Sequence, residues 1–151
     1  MADIEEMVSI AAPPDQVWAV LSDFGAIASW APNVDHSSLT TDQQDGVGAV
    51  RRVQVGRNAL LEQVVEWESG ERLAYSIQGL PPVIRSVVNT WALAADGEST
   101  KVTLTSQVDA GPRPPQQLIA RAIGKGLAKA SRQMLDGLAA RMHAQTQEAR
   151  T

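Results

Sequence analysis

Apolar residues near the start of the chain first alternate with polar ones and then recur every three or four positions. The alternation predicts a strand over residues 3–10, and the helical spacing predicts a helix over 14–22, where Pro14 suits the first turn. A second short helix is expected over 27–30, because Pro32 stops any helix that continues further. The chain is therefore expected to begin with one strand and two short helices.

Residues 34–108 have a different character, because β-branched residues become frequent and Gly-containing turns divide them into short runs. Asp45-Gly46 and Asp96-Gly97 are typical of hairpin turns. Six further strands are predicted in this region: 34–40, 47–55, 59–67, 72–78, 83–94 and 101–108. With the first strand they make seven, and the short connections between them favour an antiparallel meander.

A helical pattern returns over residues 116–145, which corresponds to a helix of about 45 Å at 1.5 Å per residue. Gly124 and Gly126 lie inside it, each at a cost of about 1 kcal/mol, so a kink or a close approach of the backbone is expected there. The order of elements predicts an α+β fold: a curved seven-stranded antiparallel sheet wrapped around the long C-terminal helix, as one domain over 1–151.

Every second residue of a strand in such a sheet faces the helix. One face of the strand 47–55 is mainly apolar and is predicted to point inward: Val47, Ala49, Arg51, Val53 and Val55. Arg51 brings a charge to that face, which is costly unless it is paired. In the strand 59–67 both faces mix apolar and polar residues, so parity does not decide between them. Parity in the later strands predicts these inward residues: Tyr75, Ile77, Ile84, Ser86, Val88, Val102, Leu104, Ser106 and Val108.

Charge and composition exclude several classes of function. The net charge of −4 disfavours nucleic acid as a partner, and no apolar run approaches the roughly 20 residues of a membrane span. The chain has no cysteine, and His36 and His143 lack companions at metal-ligand spacing, so we expect no metal and no cofactor. No nucleophile motif or carboxylate pair singles out a catalytic residue. Three acids and no base among the first six residues are unlike a secretory signal, so we expect a cytoplasmic protein.

Four segments, taken with the order of the elements, carry a resemblance to a known superfamily: 47–53 (VGAVRRV), 62–67 (EQVVEW), 71–77 (ERLAYSI) and 100–104 (TKVTL). They resemble the START-like, polyketide cyclase/dehydrase (SRPBCC) superfamily with its helix-grip fold. The resemblance covers nearly the whole chain and implies an apolar internal cavity. Related members are similar to lipid carriers, aromatase/cyclases, plant hormone receptors and allergens, so it predicts the fold more closely than the function.

The resemblance also implies roles for individual residues. In the hormone-receptor branch the corresponding strand turns a Glu into the pocket, which favours Glu62 as an inward residue. Glu62 would then pair with Arg51 across adjacent strands, either as a structural ion pair or as a contact to a polar group of a ligand through water. Trp30 is placed at the mouth of the cavity, where it is a lid or simply packs. Three neighbouring residues are similarly placed as a gate: Gly79, Leu80 and Pro81.

The leading hypothesis is a protein that binds or carries a small hydrophobic molecule, lipid-like or polyketide-like, in this cavity. The residues predicted to bind it, with Tyr75 and Ser86 as hydrogen-bonding groups, are Arg51, Val53, Val55, Glu62, Tyr75, Ile77, Ile84, Ser86, Val88, Leu104, Ile123 and Leu127. One alternative is a polyketide cyclase or dehydratase, in which Arg51 polarises a carbonyl while Glu62 or Tyr75 moves a proton. Another is a regulatory module whose ligand-gated lid offers a surface to a protein partner or to a second copy, as a homodimer.

Overall fold

The structure of the protein, a computed structural model, describes residues 2–81, 84–111 and 114–150. Its strands are β1 (Ala2–Ile10), β2 (His36–Leu39), β3 (Val50–Val55), β4 (Asn58–Glu68), β5 (Arg72–Gln78), β6 (Ser86–Asp96) and β7 (Ser99–Asp109). Its helices are α1 (Pro14–Leu21), a 3-10 helix (Phe24–Ser29) and α2 (Pro114–Arg150). The predicted α+β fold is confirmed, because the strand, the two short helices, the strands and the long helix follow in the expected order.

The strands form an antiparallel sheet in the order β1-β7-β6-β5-β4-β3-β2. From β2 to β7 each strand pairs with the next along the chain, as expected of a meander, and β1 pairs with β7. Helix α2 packs against β1 and β7. A Cβ atom on Gly124 would lie 3.1 Å from Cδ1 of Ile4, which confirms the expected close approach of the helix backbone. Gly126, in contrast, has open space around it.

The strand β3 begins later than the sequence pattern predicts, and the expectation that Val47 faces inward is wrong. Its side chain is 61% exposed. Gly46 and Gly48 have φ values of 79° and 99°, so the chain is still turning at this point and has not entered the ladder. The Gln43 side chain holds the turn by donating to the Val47 carbonyl over 2.8 Å. From Ala49 onward, the predicted inward parity of this strand is correct.

The strand β6 presents the face opposite to the predicted one. Val87, Asn89 and Trp91 are buried, whereas Ser86 is exposed and Val88 lies half-buried on the other face. The expected strand began at residue 83, which lies outside the described residues, as does residue 82; the ladder with β7 begins only at Ser86. Since a shift of one residue exchanges the two faces of a strand, Ser86 and Val88 do not point toward the helix.

The interior contains two apolar clusters. The larger one, which we call the core cluster, lies among the sheet, α1, the 3-10 helix and the C-terminal half of α2, and it includes Phe24, Trp30, Trp91, Leu104 and Leu138. The smaller one, which we call the second cluster, is centred on Val87, Val108 and Ala110 with Ile4, Ile77, Leu80, Ile84, Ile123 and Leu127 packed against them. The second cluster lies under the N-terminal half of α2, toward the end of the sheet where β5 and β6 are connected.

Candidate ligand-binding site

A row of three buried polar side chains crosses the inner face of the sheet. Ser106 on β7, Asn89 on β6 and Tyr75 on β5 lie opposite one another in register, and we call them the polar row. The Ser106 hydroxyl donates to Asn89 Oδ1 over 2.6 Å, and Asn89 Nδ2 donates to the Tyr75 hydroxyl oxygen over 3.4 Å. Trp91 Nε1 donates to the same oxygen over 3.2 Å. Because these buried groups are hydrogen-bonded, the row is compatible with an apolar interior.

Burial raises the pKa of the Tyr75 hydroxyl above its ordinary value, and the nearby Glu62 carboxylate raises it further. The Arg51 guanidinium and the hydrogen bonds from Trp91 and Asn89 act in the opposite direction, but burial outweighs them. Tyr75 is therefore protonated at neutral pH. A protonated hydroxyl is able to donate a hydrogen bond in addition to the two that it accepts here.

Arg51 and Glu62 form a buried ion pair. They lie directly opposite each other on β3 and β4, and Arg51 Nε donates to Glu62 Oε1 over 2.8 Å. Arg51 Nη1 also donates to the carbonyl oxygen of Phe24 over 2.9 Å. The guanidinium lies between two rings, 3.8 Å from the centroid of Phe24 and 4.6 Å from that of Tyr75. The predicted pairing of Arg51 with Glu62 is formed, and Glu62 lies on the inner face that the resemblance implied.

The second cluster brings together residues that the sequence places far apart. Ile77 comes from the end of β5, Leu80 and Ile84 from the connection to β6, and Ile123 and Leu127 from α2. All of these were predicted as ligand-binding or gate residues. Their side chains are half-buried, whereas Val87, Val108 and Ala110 beneath them are almost completely buried. The predicted residues around α2 therefore do lie together, at one end of the helix–sheet interface.

The other predicted ligand-binding residues lie elsewhere. Val53 and Leu104 are fully buried in the core cluster, and Val55 packs against it. Ser86 and Val88 lie on the other face of β6, for the reason given above. Ser106, which parity also predicted to face inward, is buried and supplies a hydroxyl to the polar row. The sequence predicted that all of these ligand-binding residues line one cavity, whereas the structure divides them between the core cluster and the other face of β6.

Trp30 and the loop after β5 were predicted as lid and gate. The Trp30 ring is buried and packs edge-on against Trp91, with ring centroids 5.7 Å apart. Gly79 adopts a φ of 96°, and a Cβ there would lie 3.0 Å from the carbonyl oxygen of Ala59, so this turn needs glycine. Pro81 is exposed and its carbonyl accepts a hydrogen bond from the Ile84 amide over 2.9 Å. These contacts agree with simple packing of Trp30, and a gating motion stays a prediction.

Asn89 and Val87 were missed by sequence reasoning. The signal that would have found them is the spacing of Val87, Asn89 and Trp91, in which two apolar residues flank a polar one on the same face. An amide on an apolar face is unexpected until its partners are known. Asn89 is buried because Ser106 and Tyr75, from the two neighbouring strands, satisfy its side chain.

Five clefts between the described residues have volumes from about 220 to about 550 Å³, and neither Arg51, Glu62 and Tyr75 nor the half-buried residues of the second cluster line any of these five. The enclosed apolar cavity that the resemblance implied therefore stays a prediction. In the part of the chain that the structure describes, no helix combines the length and the apolar character that crossing a membrane requires.

Comparison with known proteins places the chain in a family. Over residues 1–143 the sequence matches the family described as polyketide cyclase / dehydrase and lipid transport. The chain belongs to this family. The resemblance noted in the sequence is thereby confirmed for the family and its helix-grip fold. No curated protein matches closely enough to be counted as a relative.

Solved structures with the same fold span almost the whole chain. A solution structure from Thermobifida fusca is 27% identical, with a TM-score of 0.79, and the match covers 94% of this chain and 93% of that one. The Zhui aromatase/cyclase from a Streptomyces species is 22% identical, with a TM-score of 0.77 and coverage of 96% and 95%. A START superfamily protein from Mycobacterium smegmatis is 15% identical, with a TM-score of 0.72 and coverage of 94% and 97%. At the identities of the last two, the likeness concerns the fold alone.

Proposed function

We propose that this chain binds or carries a small hydrophobic molecule at the second cluster, between the N-terminal half of α2 and the sheet. The observation that carries the proposal is that five half-buried apolar residues pack against one small buried cluster from three separate parts of the chain: Ile77, Leu80, Ile84, Ile123 and Leu127. Apolar side chains that are incompletely covered gain free energy when a ligand removes them from water, at about 25 cal/mol per Å².

The polar row lies next to this cluster and gives the proposed site a way to orient its ligand. Ile4 packs against the second cluster and pairs in register with Ser106, the first residue of the row. A ligand with a hydroxyl or carbonyl group at one end would direct that group to the row and its apolar part to Ile123 and Leu127. A few polar groups in an otherwise apolar site are typical of small-molecule sites.

The geometry favours binding over a cyclase or dehydratase reaction at Arg51. Two of its donors are already used by Glu62 and by the Phe24 carbonyl, and the guanidinium is enclosed by two rings. These contacts support the structural interpretation of the Arg51–Glu62 pair. The family description includes both enzymes and lipid transport, and the name of the Streptomyces neighbour describes that protein only.

Native mass spectrometry of the purified protein, compared with its denatured mass, is the first test. A defined apolar adduct is expected, and its mass would identify the class of ligand. Binding is then quantified with anilinonaphthalene sulfonate, whose fluorescence reports on accessible apolar sites. Absence of an adduct together with absence of saturable dye binding would contradict the proposal.

Substitution in α2 locates the site. Ile123→Trp fills the half-buried position with a larger side chain and is expected to weaken dye binding about tenfold, because some 50–60 Å² of apolar contact is lost to the ligand. Gln133→Trp adds the same side chain at an exposed position of the same helix and is the matched control, expected to bind dye as the unsubstituted protein does. Equal dye binding by the two variants would place the site elsewhere.

A further inference from the structure

Helix α2 exposes two large apolar residues near its N-terminus. The Leu118 side chain is 64% exposed and that of Ile119 is 36% exposed. With about 3.6 residues per turn, Leu118 lies on the opposite side of the helix from Leu127, which packs against the second cluster, whereas Ile119 lies at the edge of the outward face, one turn before Ile123. Leu118 is therefore an exposed aliphatic side chain on the outward face of the helix, with the partly exposed Ile119 beside it.

Three cations occupy the same outward face. Arg121, Lys125 and Lys129 follow Leu118 at intervals of three, four and four residues, so they form a line along the helix, and all three are exposed. Among the described residues, none of the three takes part in an ion pair. From residue 114 to residue 135 the helix contains no acidic residue, although the chain as a whole has a net charge of −4. The positive charge is therefore concentrated here.

We propose that this outward face, formed by Leu118, Arg121, Lys125 and Lys129 with Ile119 at its edge, docks on an anionic lipid surface. Exposed aliphatic side chains beside a line of cations are the two features that hold a helix at a membrane interface: the first insert among the acyl chains and the second attract anionic headgroups. A nucleic acid would use the cations but gain nothing from Leu118 and Ile119. An acidic protein would also use the cations, and the test below separates it from a membrane.

The docking surface and the proposed ligand site lie on opposite sides of the same helical turns. The distance between them is about one helix diameter, roughly 10 Å. Docking would therefore bring the second cluster close to the lipid from which a hydrophobic molecule enters or leaves. The docking proposal goes beyond ligand binding and does not require it, because vesicle binding and dye binding are measured separately.

Co-sedimentation of the full chain with vesicles tests the proposal. One set of vesicles is phosphatidylcholine, and the other contains about one third phosphatidylserine. Binding is expected only to the anionic vesicles and is expected to weaken as salt is added. Lys125→Gln should lower the partition coefficient about fivefold, and Lys125→Gln with Lys129→Gln about 25-fold, since each cation near the surface contributes about the same amount. Leu118→Ser should weaken binding even at low salt.

The matched control variants carry substitutions of the same kind on the outer face of the sheet. Lys101→Gln removes an exposed lysine and Val65→Ser removes an exposed aliphatic side chain, and neither should change vesicle binding. Dye binding by the docking variants should stay as in the unsubstituted protein. Vesicle binding that survives the double lysine substitution, or that falls equally in Lys101→Gln, would overturn the proposal. So would failure to bind anionic vesicles together with self-association that the same lysine substitutions abolish, because a second copy would then occupy this face.

Discussion

Arg51 and Glu62 show how a charged pair is accommodated inside this fold. Both side chains are almost fully buried, at 3% and 7% exposed, yet each charge faces the other at 2.8 Å. Phe24 contributes a carbonyl oxygen and a ring face to the guanidinium. Removing one partner would leave the other as an unpaired buried charge, which costs more than the intact pair contributes.

Glu62→Leu should therefore lower the free energy of unfolding by about 3–5 kcal/mol. Arg51→Met with Glu62→Leu should recover most of that loss, because no charge is then left unpaired. Glu66→Leu is the control on the same strand: it breaks an exposed pair with Arg72, whose side chain is 50% exposed, and should cost at most about 1 kcal/mol. Urea denaturation measures all three variants. If Glu62→Leu costs no more than Glu66→Leu, the pair does not have the structural role described here.

Helix α2 has two halves that make different contacts. In the C-terminal half, Leu135, Leu138 and Met142 are almost completely buried, whereas Ile123 in the N-terminal half is only half-buried. The C-terminal half also approaches the segment after the 3-10 helix very closely. A Cβ atom on Gly137 would lie 2.6 Å from Cδ of Pro32 and would collide with the carbonyl oxygen of Trp30. This close contact depends on the absence of a side chain at Gly137.

Replacing either of two glycines of α2 by alanine is expected to have opposite effects on stability. Gly137→Ala should destabilise the protein by about 1–3 kcal/mol, because the added methyl group meets backbone and a proline ring. Gly126→Ala should stabilise it by up to about 1 kcal/mol, because the added methyl group meets open space and alanine favours the helix. Thermal unfolding of both variants is the measurement. A stabilising effect of Gly137→Ala would show that α2 does not dock against Trp30 and Pro32 as described.

The two clusters differ in burial, so one end of the helix–sheet interface is fully shielded from solvent and the other is only partly shielded. The core cluster contains completely buried aromatic and aliphatic residues, including Trp91 and Leu104, while the residues around the second cluster are only half-buried. The polar row lies in register between Leu104 and Val108 of β7, the first in the core cluster and the second in the second cluster. The stability of the fold and the proposed binding of a ligand therefore rely on different ends of the helix–sheet interface.

Titration of Tyr75 makes the free energy of unfolding of the whole molecule depend on pH in the alkaline range. Its pKa is raised above 10.0 in the folded protein, so its contribution to stability is complete below that pH. As the pH rises further, the unfolded chain loses this proton first, and the free energy of unfolding falls until the folded pKa is passed. Tyr75→Phe should cost about 1–3 kcal/mol at neutral pH, because it leaves Trp91 Nε1 without its acceptor. Above pH 10.0, the difference in the free energy of unfolding between Tyr75→Phe and the unsubstituted protein should become smaller.

The chain has one tyrosine, so its tyrosinate absorbance reports on this residue alone. The native titration is expected to have its midpoint above 10.0, and the protein unfolded in denaturant is expected to titrate near that value. A native midpoint at or below the unfolded one would contradict the burial and hydrogen bonding described for Tyr75.

Much of the fold was determined by patterns that are local in sequence. Turn residues separate the strands, and two-residue alternation orients β3, β5 and β7, so the inward positions of Arg51, Tyr75 and Leu104 were predicted from the sequence. The recurrence of apolar residues over 116–145 likewise predicted a single long helix. These features depend on residues that are neighbours along the chain, so the sequence alone is enough to predict them.

Other features were decided only by the tertiary structure. Val87 and Val88 are identical in type, and the spacing of Val87 with Trp91 favours Val87 as the inward residue only if the Asn89 between them has buried partners. Strand pairing supplies those partners by placing Asn89 between Ser106 and Tyr75, which satisfy its amide. The gathering of Ile77 with Ile123 depends in the same way on how α2 crosses the sheet. Burial of a polar group and closure of an apolar cluster are properties of partners from distant segments, and those partners become neighbours only when the chain has folded.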